Sequence, residues 1–226
     1  TAVRFIEEGA RVWLSDHTDA VREVAEAIGA AGSDVVDVTD REAVQASVAA
    51  AAEALGGLDV LFLNAGTEGQ VAPIAVAEPA LFQRVLDVNL FGPLHALQAA
   101  VPHLREGDNP SVIFTSSVAG LIGSPGLAPY CTSKHALIGL MRSAAMELGA
   151  EWLRVNTVNP GPVDNRMMDS IEHMAAPDAA DQVRAGFTAR VPLGRYARND
   201  EIASLVTFLA SDEASYCHGH TYLADG

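Results

Sequence analysis

Residues 58–66 read LDVLFLNAG, and this stretch decides the fold class that the chain is expected to adopt. Its central residues are apolar without alternation, and the run ends in Asn64, Ala65 and Gly66, which are typical of a turn. A strand that is apolar on both sides needs cover on both faces, as in a parallel sheet between two layers of helices. The stretch therefore predicts a buried strand of an α/β protein.

Five further runs have the same character and alternate with segments of helical periodicity. They are RVWLSD (11–16), DVVDV (34–38), SVIFTSS (111–117), LRVNTVNPG (153–161) and HTYLAD (220–225). Between the runs, apolar residues recur at helix spacing, and Thr39-x-x-Glu42 predicts a capping box at a helix start. This alternation predicts βα units that build a doubly wound parallel sheet in a three-layer arrangement. No repeat or linker interrupts the pattern, so we expect one domain over residues 1–226.

The beginning of the chain differs from the usual start of such a fold. Ala2, Phe5 and Ile6 are spaced as one helix face, and Gly9 is placed to end that helix. A doubly wound sheet begins with a strand and a glycine-rich turn that lead into the first helix. We therefore expect an opening strand and a glycine-rich loop ahead of Thr1, because a sheet without that strand has a row of unpaired backbone groups.

The composition is that of an acidic globular protein. Among the 226 residues, 49 % are hydrophobic and 19 % are charged, which excludes a disordered chain. The net charge of −15 repels nucleic acid and anionic membranes, so neither is expected as a partner. The chain has no apolar run long enough for a transmembrane helix. Two cysteines, Cys131 and Cys217, form no disulfide framework and suit a reducing cytoplasm.

The stretch YCTSKHAL (130–137) contains the first candidate catalytic residues. Lys134 is the only lysine of the chain, since the other thirteen of the 14 basic residues are arginines. Tyr130 and Lys134 are four residues apart, so on a helix they share one face. A neighbouring ammonium favours the phenolate and lowers the pKa of a tyrosine from about 10. The pair predicts a phenol that exchanges a proton.

Two polar residues upstream extend this candidate site. Ser117 ends a predicted strand, and the carboxyl ends of strands are where ligands bind in open α/β sheets. Its hydroxyl can donate to a substrate oxygen as negative charge develops there. Asn89 lies between apolar neighbours in a predicted long helix, where an amide needs a buried hydrogen-bond partner. It is either a structural hydrogen-bonding residue or a member of the site.

Together these residues form a known pattern. In chain order the motifs are Asn64-Ala65-Gly66, Asn89, Ser117, Tyr130-x-x-x-Lys134 and Pro160-Gly161. Over essentially its whole length the chain resembles the short-chain dehydrogenase/reductase family. The resemblance implies a Rossmann-type fold, a nicotinamide cofactor, and hydride exchange between that cofactor and a secondary alcohol or ketone.

The resemblance also implies roles for the site residues. Tyr130 would be the general acid and base, and Lys134 would lower its pKa and hold the nicotinamide ribose. Ser117 would orient the substrate oxygen, and Asn89 would hold a water that continues the proton path. A homotetramer is implied as well, with the helices that carry Asn89 and Tyr130 packed between subunits.

The choice between NAD and NADP depends on Asp16. A carboxylate at the end of the run 11–16 accepts hydrogen bonds from ribose hydroxyls and repels a 2′-phosphate. The residue that follows is His17 rather than arginine or lysine, so we expect NAD. Asp16 could also cap the next helix. The resemblance implies the other cofactor residues, which are Asp37 and Val38 at the adenine, Asn64, Ala65 and Gly66 at the adenosine ribose, and Pro160, Gly161, Val163 and Asn165. Asn165 stands where the family usually has a threonine.

Residues 162–192 form a long connection, and loops of this length in compact domains are usually lids or binding segments, so we expect a substrate loop here. Met167, Met168, Ile171 and Met174 either line the substrate or pack a short helix onto the body of the protein. No cluster of arginines marks a phosphate-carrying substrate, although Arg166 and Arg195 lie within reach of this region, so we expect a neutral or modestly polar substrate.

Three alternatives concern the chemistry of the chain. An NADPH-dependent reductase of 3-oxoacyl thioesters and a non-catalytic, cofactor-binding scaffold of the same fold both remain open. His218-Gly219-His220 suggests a metal site, but no third ligand is near in the sequence. We therefore interpret these histidines as structural and expect no metal.

Overall fold

The computed structural model describes residues 1–226 and contains six strands, all parallel to their neighbours. The strands are β1 (Trp13–Asp16), β2 (Gly32–Val35), β3 (Val60–Leu63), β4 (Ser111–Thr115), β5 (Arg154–Pro160) and β6 (Thr221–Ala224). β1 pairs with β2, and the other four form a second sheet in the order β3-β4-β5-β6. Each of the six apolar runs of the sequence contains one strand or overlaps with it.

Nine α-helices connect and cover the strands. They are α1 (Ala2–Glu7), α2 (Ala20–Ile28), α3 (Arg41–Leu55), α4 (Pro79–Leu86), α5 (Gly92–Leu104), α6 (Ala128–Leu148), α7 (Arg166–Ala175), α8 (Ala180–Thr188) and α9 (Asn199–Ala210). A π-helical turn, Asp87–Phe91, joins α4 to α5 without a break. None of the helices has both the length and the apolar character needed to cross a membrane.

The core is divided by the larger sheet. On β4, Val112 and Phe114 pack into a cluster with residues of α3, α5 and α6, whereas Ile113 packs on the other side against α9. All three side chains are fully buried. A strand whose alternate residues are buried on opposite faces is the middle layer of three. The α/β, Rossmann-type fold is thus confirmed.

The structure differs from the predicted single sheet in one respect. β1 does not pair with β3, so the strands form two sheets, and residues next to this gap, such as Trp13 and Phe62, line a cleft. The expected opening strand stays a prediction.

Two local predictions are corrected by the structure. The N-cap of α3 is Asp40 rather than Thr39, because the Asp40 carboxylate accepts from the backbone N–H groups of Glu42 and Ala43. The connection 162–192 is not a loop, since most of it forms α7 and α8. Its apolar residues belong to an amphipathic helix, which the short spacing of the methionines did not distinguish from a loop.

Candidate active site

The carboxyl ends of the strands open into a cleft of about 1990 Å³. It is lined by every site residue that the sequence predicts except Asn89. The lining residues among them are Asp16, Asp37, Val38, Asn64, Ala65, Gly66, Ser117, Tyr130, Lys134, Pro160, Gly161, Val163 and Asn165. Sequence positions as distant as 16 and 165 meet here because parallel strands end at the same edge of a sheet.

Tyr130 and Lys134 lie one turn apart on α6, as their spacing predicts. Both are buried, with exposed fractions of 9 % and 3 %. The Lys134 Nζ atom lies over the Tyr130 ring, 5.5 Å from its centroid, and donates a hydrogen bond to the Thr115 carbonyl oxygen at 2.8 Å. The ammonium therefore approaches the face of the ring, and β4 holds it there through Thr115.

The pKa of Tyr130 is not lowered by Lys134 as the sequence predicted. Burial raises the pKa of Tyr130 to about 12, and a hydrogen bond with the Ser117 hydroxyl acts in the opposite direction. Burial also lowers the pKa of Lys134 to about 8. The pKa of Tyr130 is raised on balance because desolvation of the phenol is the largest effect on it. At neutral pH, Tyr130 is a protonated phenol that can donate its proton.

Two hydrogen bonds hold Ser117 in place. Its Oγ accepts from the Ala119 backbone N–H at 3.1 Å, and its carbonyl oxygen accepts from the Asn159 side chain at 3.0 Å. The turn that follows packs tightly on α6, since a Cβ at Gly120 would lie 2.8 Å from the Lys134 carbonyl oxygen. Sequence reasoning missed Asn159, because a polar residue inside an apolar strand gives no sign of which group it binds.

Asn89 is completely buried and does not reach the cleft. Its Oδ1 accepts from the Thr67 N–H at 2.8 Å, and its Nδ2 donates to the Thr67 carbonyl at 2.9 Å and to Ser133 Oγ at 3.0 Å. The π-helical turn provides this position, and such turns often occur at functional sites. Asn89 thus has the buried partners that the sequence required, and it anchors the loop that follows β3.

Asp16 and Asp37, two acidic residues that line the cleft, have similar surroundings. One oxygen of Asp16 accepts from the N–H and hydroxyl groups of Thr18, and one oxygen of Asp37 accepts from the same groups of Thr39. The Thr39 hydrogen bonds lower the pKa of Asp37. Asp16 does not cap α2, whose N-cap is Asp19. It orders the turn between β1 and α2, and its second oxygen makes no hydrogen bond.

The opposite wall of the cleft is formed by α7. Asn165 is the N-cap of this helix, because its side-chain oxygen accepts from the N–H groups of Met167 and Met168. Both methionines and Ile171 line the cleft, where Ile171 shares an apolar cluster with Tyr130 and the methionines pack against that cluster. Met174 does not line the cleft.

The charged residues that line this part of the cleft differ from those that the sequence predicted. Arg195 pairs with Glu201 at the start of α9 and does not reach the cleft. Arg166 does line it and forms a bidentate ion pair with Glu68, and Arg190 lines it without an ion pair. Glu68 follows the Asn-Ala-Gly motif closely, but nothing in its local sequence indicates that it is buried.

His218 is bound to backbone on both sides of its ring. Nδ1 accepts from the Val155 N–H at 3.1 Å, and Nε2 lies 2.9 Å from the Ala145 carbonyl oxygen. The imidazole therefore bridges β5 and α6, which agrees with a structural interpretation. No group of three or more histidine, cysteine, aspartate or glutamate side chains has an arrangement that could hold a metal ion.

Comparison with known proteins identifies the class. A family model described as enoyl-(acyl carrier protein) reductase matches residues 1–226. A 3-oxoacyl-[acyl-carrier-protein] reductase of Thermotoga maritima is 33 % identical over 100 % of this chain and 90 % of its own length. The trans-4-hydroxycyclohexanecarboxylate dehydrogenase of Sinomonas cyclohexanicum is 38 % identical over 96 % of this chain and 83 % of its own. The crystal structure of NAD⁺-bound xylitol dehydrogenase, 33 % identical, superposes with a TM-score of 0.94 over 100 % of this chain and 92 % of that chain.

The fold and the cleft define a dinucleotide-dependent oxidoreductase that acts on CH–OH groups. More narrowly, the chain belongs to the short-chain dehydrogenase/reductase family, as its motifs predicted.

Proposed function

We propose that the protein interconverts a small secondary alcohol and its ketone, using NAD(H), with Tyr130 as the general acid and base. The observation that carries the proposal is the arrangement at the end of β4, where a buried phenol, a serine hydroxyl and a buried ammonium meet in one cleft. Such a set is suited to proton transfer at an oxygen atom that gains or loses negative charge.

The residues divide the chemistry between them. When bound, a nicotinamide cofactor exchanges the hydride, because no protein side chain accepts one. Ser117 orients the substrate oxygen by hydrogen bonding, and Tyr130 donates its proton to that oxygen during ketone reduction. Lys134 keeps donors in addition to the one that binds the Thr115 carbonyl, and these can hold a ribose hydroxyl. Asn89 supports the proton path by fixing the backbone at Thr67.

A preference for NAD over NADP is supported by Asp16. Its carboxylate lines the cleft at the end of β1, and its side chain is about half exposed. A 2′-phosphate at that position would meet a negative charge, whereas ribose hydroxyls would donate to it. Asp37, Val38, Asn64, Ala65 and Gly66 would line the adenosine, while Pro160, Gly161, Val163 and Asn165 would lie near the nicotinamide end.

A second candidate function and the cellular setting of the enzyme follow from other observations. The Thermotoga relative favours a 3-oxoacyl-thioester reductase as the second candidate. The complete set of Ser117, Tyr130 and Lys134 argues against a non-catalytic scaffold. We further propose a single domain, a cytoplasmic location, consistent with two free cysteines, and a homotetramer.

The direct test is Tyr130→Phe. We expect kcat/KM for alcohol oxidation and ketone reduction to fall by at least about 100-fold, since a general acid and base contributes roughly this much. The measurement follows the absorbance of the reduced cofactor with panels of secondary alcohols and ketones, using NAD and NADP side by side.

Tyr216→Phe is the matched control, because Tyr216 is fully exposed and lies outside the cleft. Its activity should equal that of the wild type. Undiminished turnover in Tyr130→Phe would contradict the proposal.

A further inference from the structure

The pair between Glu68 and Arg166 joins the two walls of the cleft. Glu68 lies on the loop after β3, and Arg166 is the first residue of α7. Two hydrogen bonds connect them, from Nη1 to Oε1 at 3.0 Å and from Nη2 to Oε2 at 3.3 Å. The Glu68 side chain is 7 % exposed, whereas that of Arg166 is 73 % exposed. A buried carboxylate therefore holds an arginine that is otherwise open to the cleft.

The position of Glu68 is set by the active site itself. Asn89 binds both the N–H and the carbonyl of Thr67, the residue directly before Glu68. Burial alone raises the pKa of Glu68, but hydrogen bonds, chiefly from Arg166, lower it below the ordinary value, so the side chain is charged at neutral pH. The anchored loop fixes the carboxylate, and the bidentate pair fixes the plane of the guanidinium.

Arg166 has donors left for a ligand. A guanidinium carries five N–H donors, and Glu68 uses two of them. The next two residues, Met167 and Met168, pack against the apolar cluster that contains Tyr130 and Ile171, so this end of α7 belongs to the same part of the cleft as the phenol. An arginine held by a second group loses less side-chain entropy when it binds a carboxylate than a free one does.

Three charged residues that line the cleft, namely Glu68, Arg166 and Arg190, indicate the kind of ligand. Glu68 and Arg166 cancel each other, and Arg190 adds one positive charge that no acidic side chain neutralises. A ligand with a single carboxylate brings the three residues to neutrality, while a phosphate with two charges leaves an excess negative charge. The sequence-based expectation of a neutral substrate counted Arg195, which faces elsewhere, and did not include Arg190.

We propose that Arg166 is a specificity-determining residue that binds a carboxylate on the substrate, remote from the alcohol that reacts. The apolar side chains of Met167, Met168 and Ile171 would contact the hydrocarbon body between the two groups. The substrate class is thus a hydroxy acid, or the corresponding oxo acid, with a compact apolar frame. The inference rests on the proposed function, because it assigns the carboxylate to the substrate of that reaction.

The test measures binding separately from turnover. Calorimetry compares cyclohexanecarboxylate with cyclohexanecarboxamide, which has nearly the same shape but no charge, with and without NAD. We expect the wild type to bind the carboxylate at least about 10-fold more tightly than the amide, as a charge-assisted hydrogen bond provides. In Arg166→Met the two should bind within about 2-fold of each other. Neither probe has an alcohol, so a failure of hydride transfer leaves this result intact.

Two further variants complete the design. Glu68→Gln combined with Arg166→Met removes the buried unpaired carboxylate, so it should fold and should also lose the preference. Arg142→Met is the matched control, because Arg142 is exposed and lies outside the cleft, and it should keep the preference. The proposal is overturned if the wild type does not prefer the carboxylate, or if Arg166→Met keeps the preference.

Discussion

Lys134 is only 3 % exposed, and its buried ammonium group donates a hydrogen bond to the Thr115 carbonyl oxygen. Burial lowers its pKa to about 8, whereas an unfolded chain leaves it near the ordinary value of 10.5. A lowered pKa means that the folded protein releases this proton at a lower pH than the unfolded chain does. The contribution to stability is therefore present above pH 10.5 and is lost as the pH falls through about 8.

We predict that Lys134 makes the free energy of unfolding increase as the pH rises in the alkaline range. Between pH 8 and 10.5 the free energy of unfolding should rise by about 3 kcal/mol more in the wild type than in Lys134→Met, because only the wild type releases the proton. Urea unfolding at several pH values provides the measurement.

The comparison also distinguishes the contribution of Lys134 to the pH dependence of stability from that of Tyr130. The pKa of Tyr130 is raised to about 12, so its contribution is lost as the pH rises from 10 to 12, in both proteins. Arg142→Met removes an exposed cation and should keep the slope of the wild type. Equal slopes in the wild type and Lys134→Met would show that Lys134 does not titrate as described.

Among single residues, the sequence predicts those that stand at a recognisable position, such as a strand end or a helix face. It misses those whose role depends on contacts with distant parts of the chain. Ser117, Tyr130 and Lys134 could be identified because strand ends and helix spacing place them together. Glu68 and Asn159 could not, because their roles depend on burial and on partners nearly 100 and 42 positions away. The raised pKa of Tyr130 was missed for a related reason, since desolvation depends on packing that spacing does not describe.

At the scale of elements, a buried arginine ties β5 to the end of α9. Arg154 is 4 % exposed, and its guanidinium donates to the carbonyl oxygens of Leu209 at 2.7 Å, Ala214 at 3.1 Å and Ser211 at 3.2 Å. The last carbonyl groups of a helix have no partner within the helix, and a cation there also interacts favourably with the helix dipole. Burial lowers the pKa of Arg154 without removing its charge.

We predict that Arg154→Met destabilises the protein by about 3 kcal/mol, because several buried carbonyl groups lose a charged donor at once. Chemical unfolding at neutral pH is the measurement. Arg22→Met, at a side chain that is 63 % exposed, should change the free energy of unfolding by less than about 0.5 kcal/mol. A loss below about 1 kcal/mol in Arg154→Met would mean that the carbonyl groups find other partners.

The elements themselves were largely predictable, and the misses have local causes. Apolar runs placed all six strands, because burial on both faces leaves a clear signal. The start of α3 was assigned to Thr39, yet Asp40 provides the cap, since two adjacent residues could both have done so. The π-helical turn around Asn89 has no periodicity of its own, and only the polar residue in an apolar context pointed to it.

At the scale of the whole molecule, the cleft exists because two halves of the chain meet at strand ends. Residues before position 70 provide Asp16, Asn64 and Glu68, and residues after position 110 provide the proton-transferring groups on α6 and the wall of α7. The sequence predicted this edge from the general rule for parallel sheets. It did not predict that β1 and β2 form a sheet apart from β3, because pairing between distant strands is not encoded in local patterns.

Because the chain has a single lysine, in the middle of α6, a lysine-specific endoprotease has one place to cut. The bond after Lys134 is inaccessible while the helix is packed, and cleavage requires that segment to open. Digestion then separates the residues up to Lys134 from those that follow it, and under conditions of rapid reclosing its rate reports the fraction of molecules in which this helix is open. An uncut chain after long exposure to such an enzyme is thus a chain whose active-site helix has stayed closed.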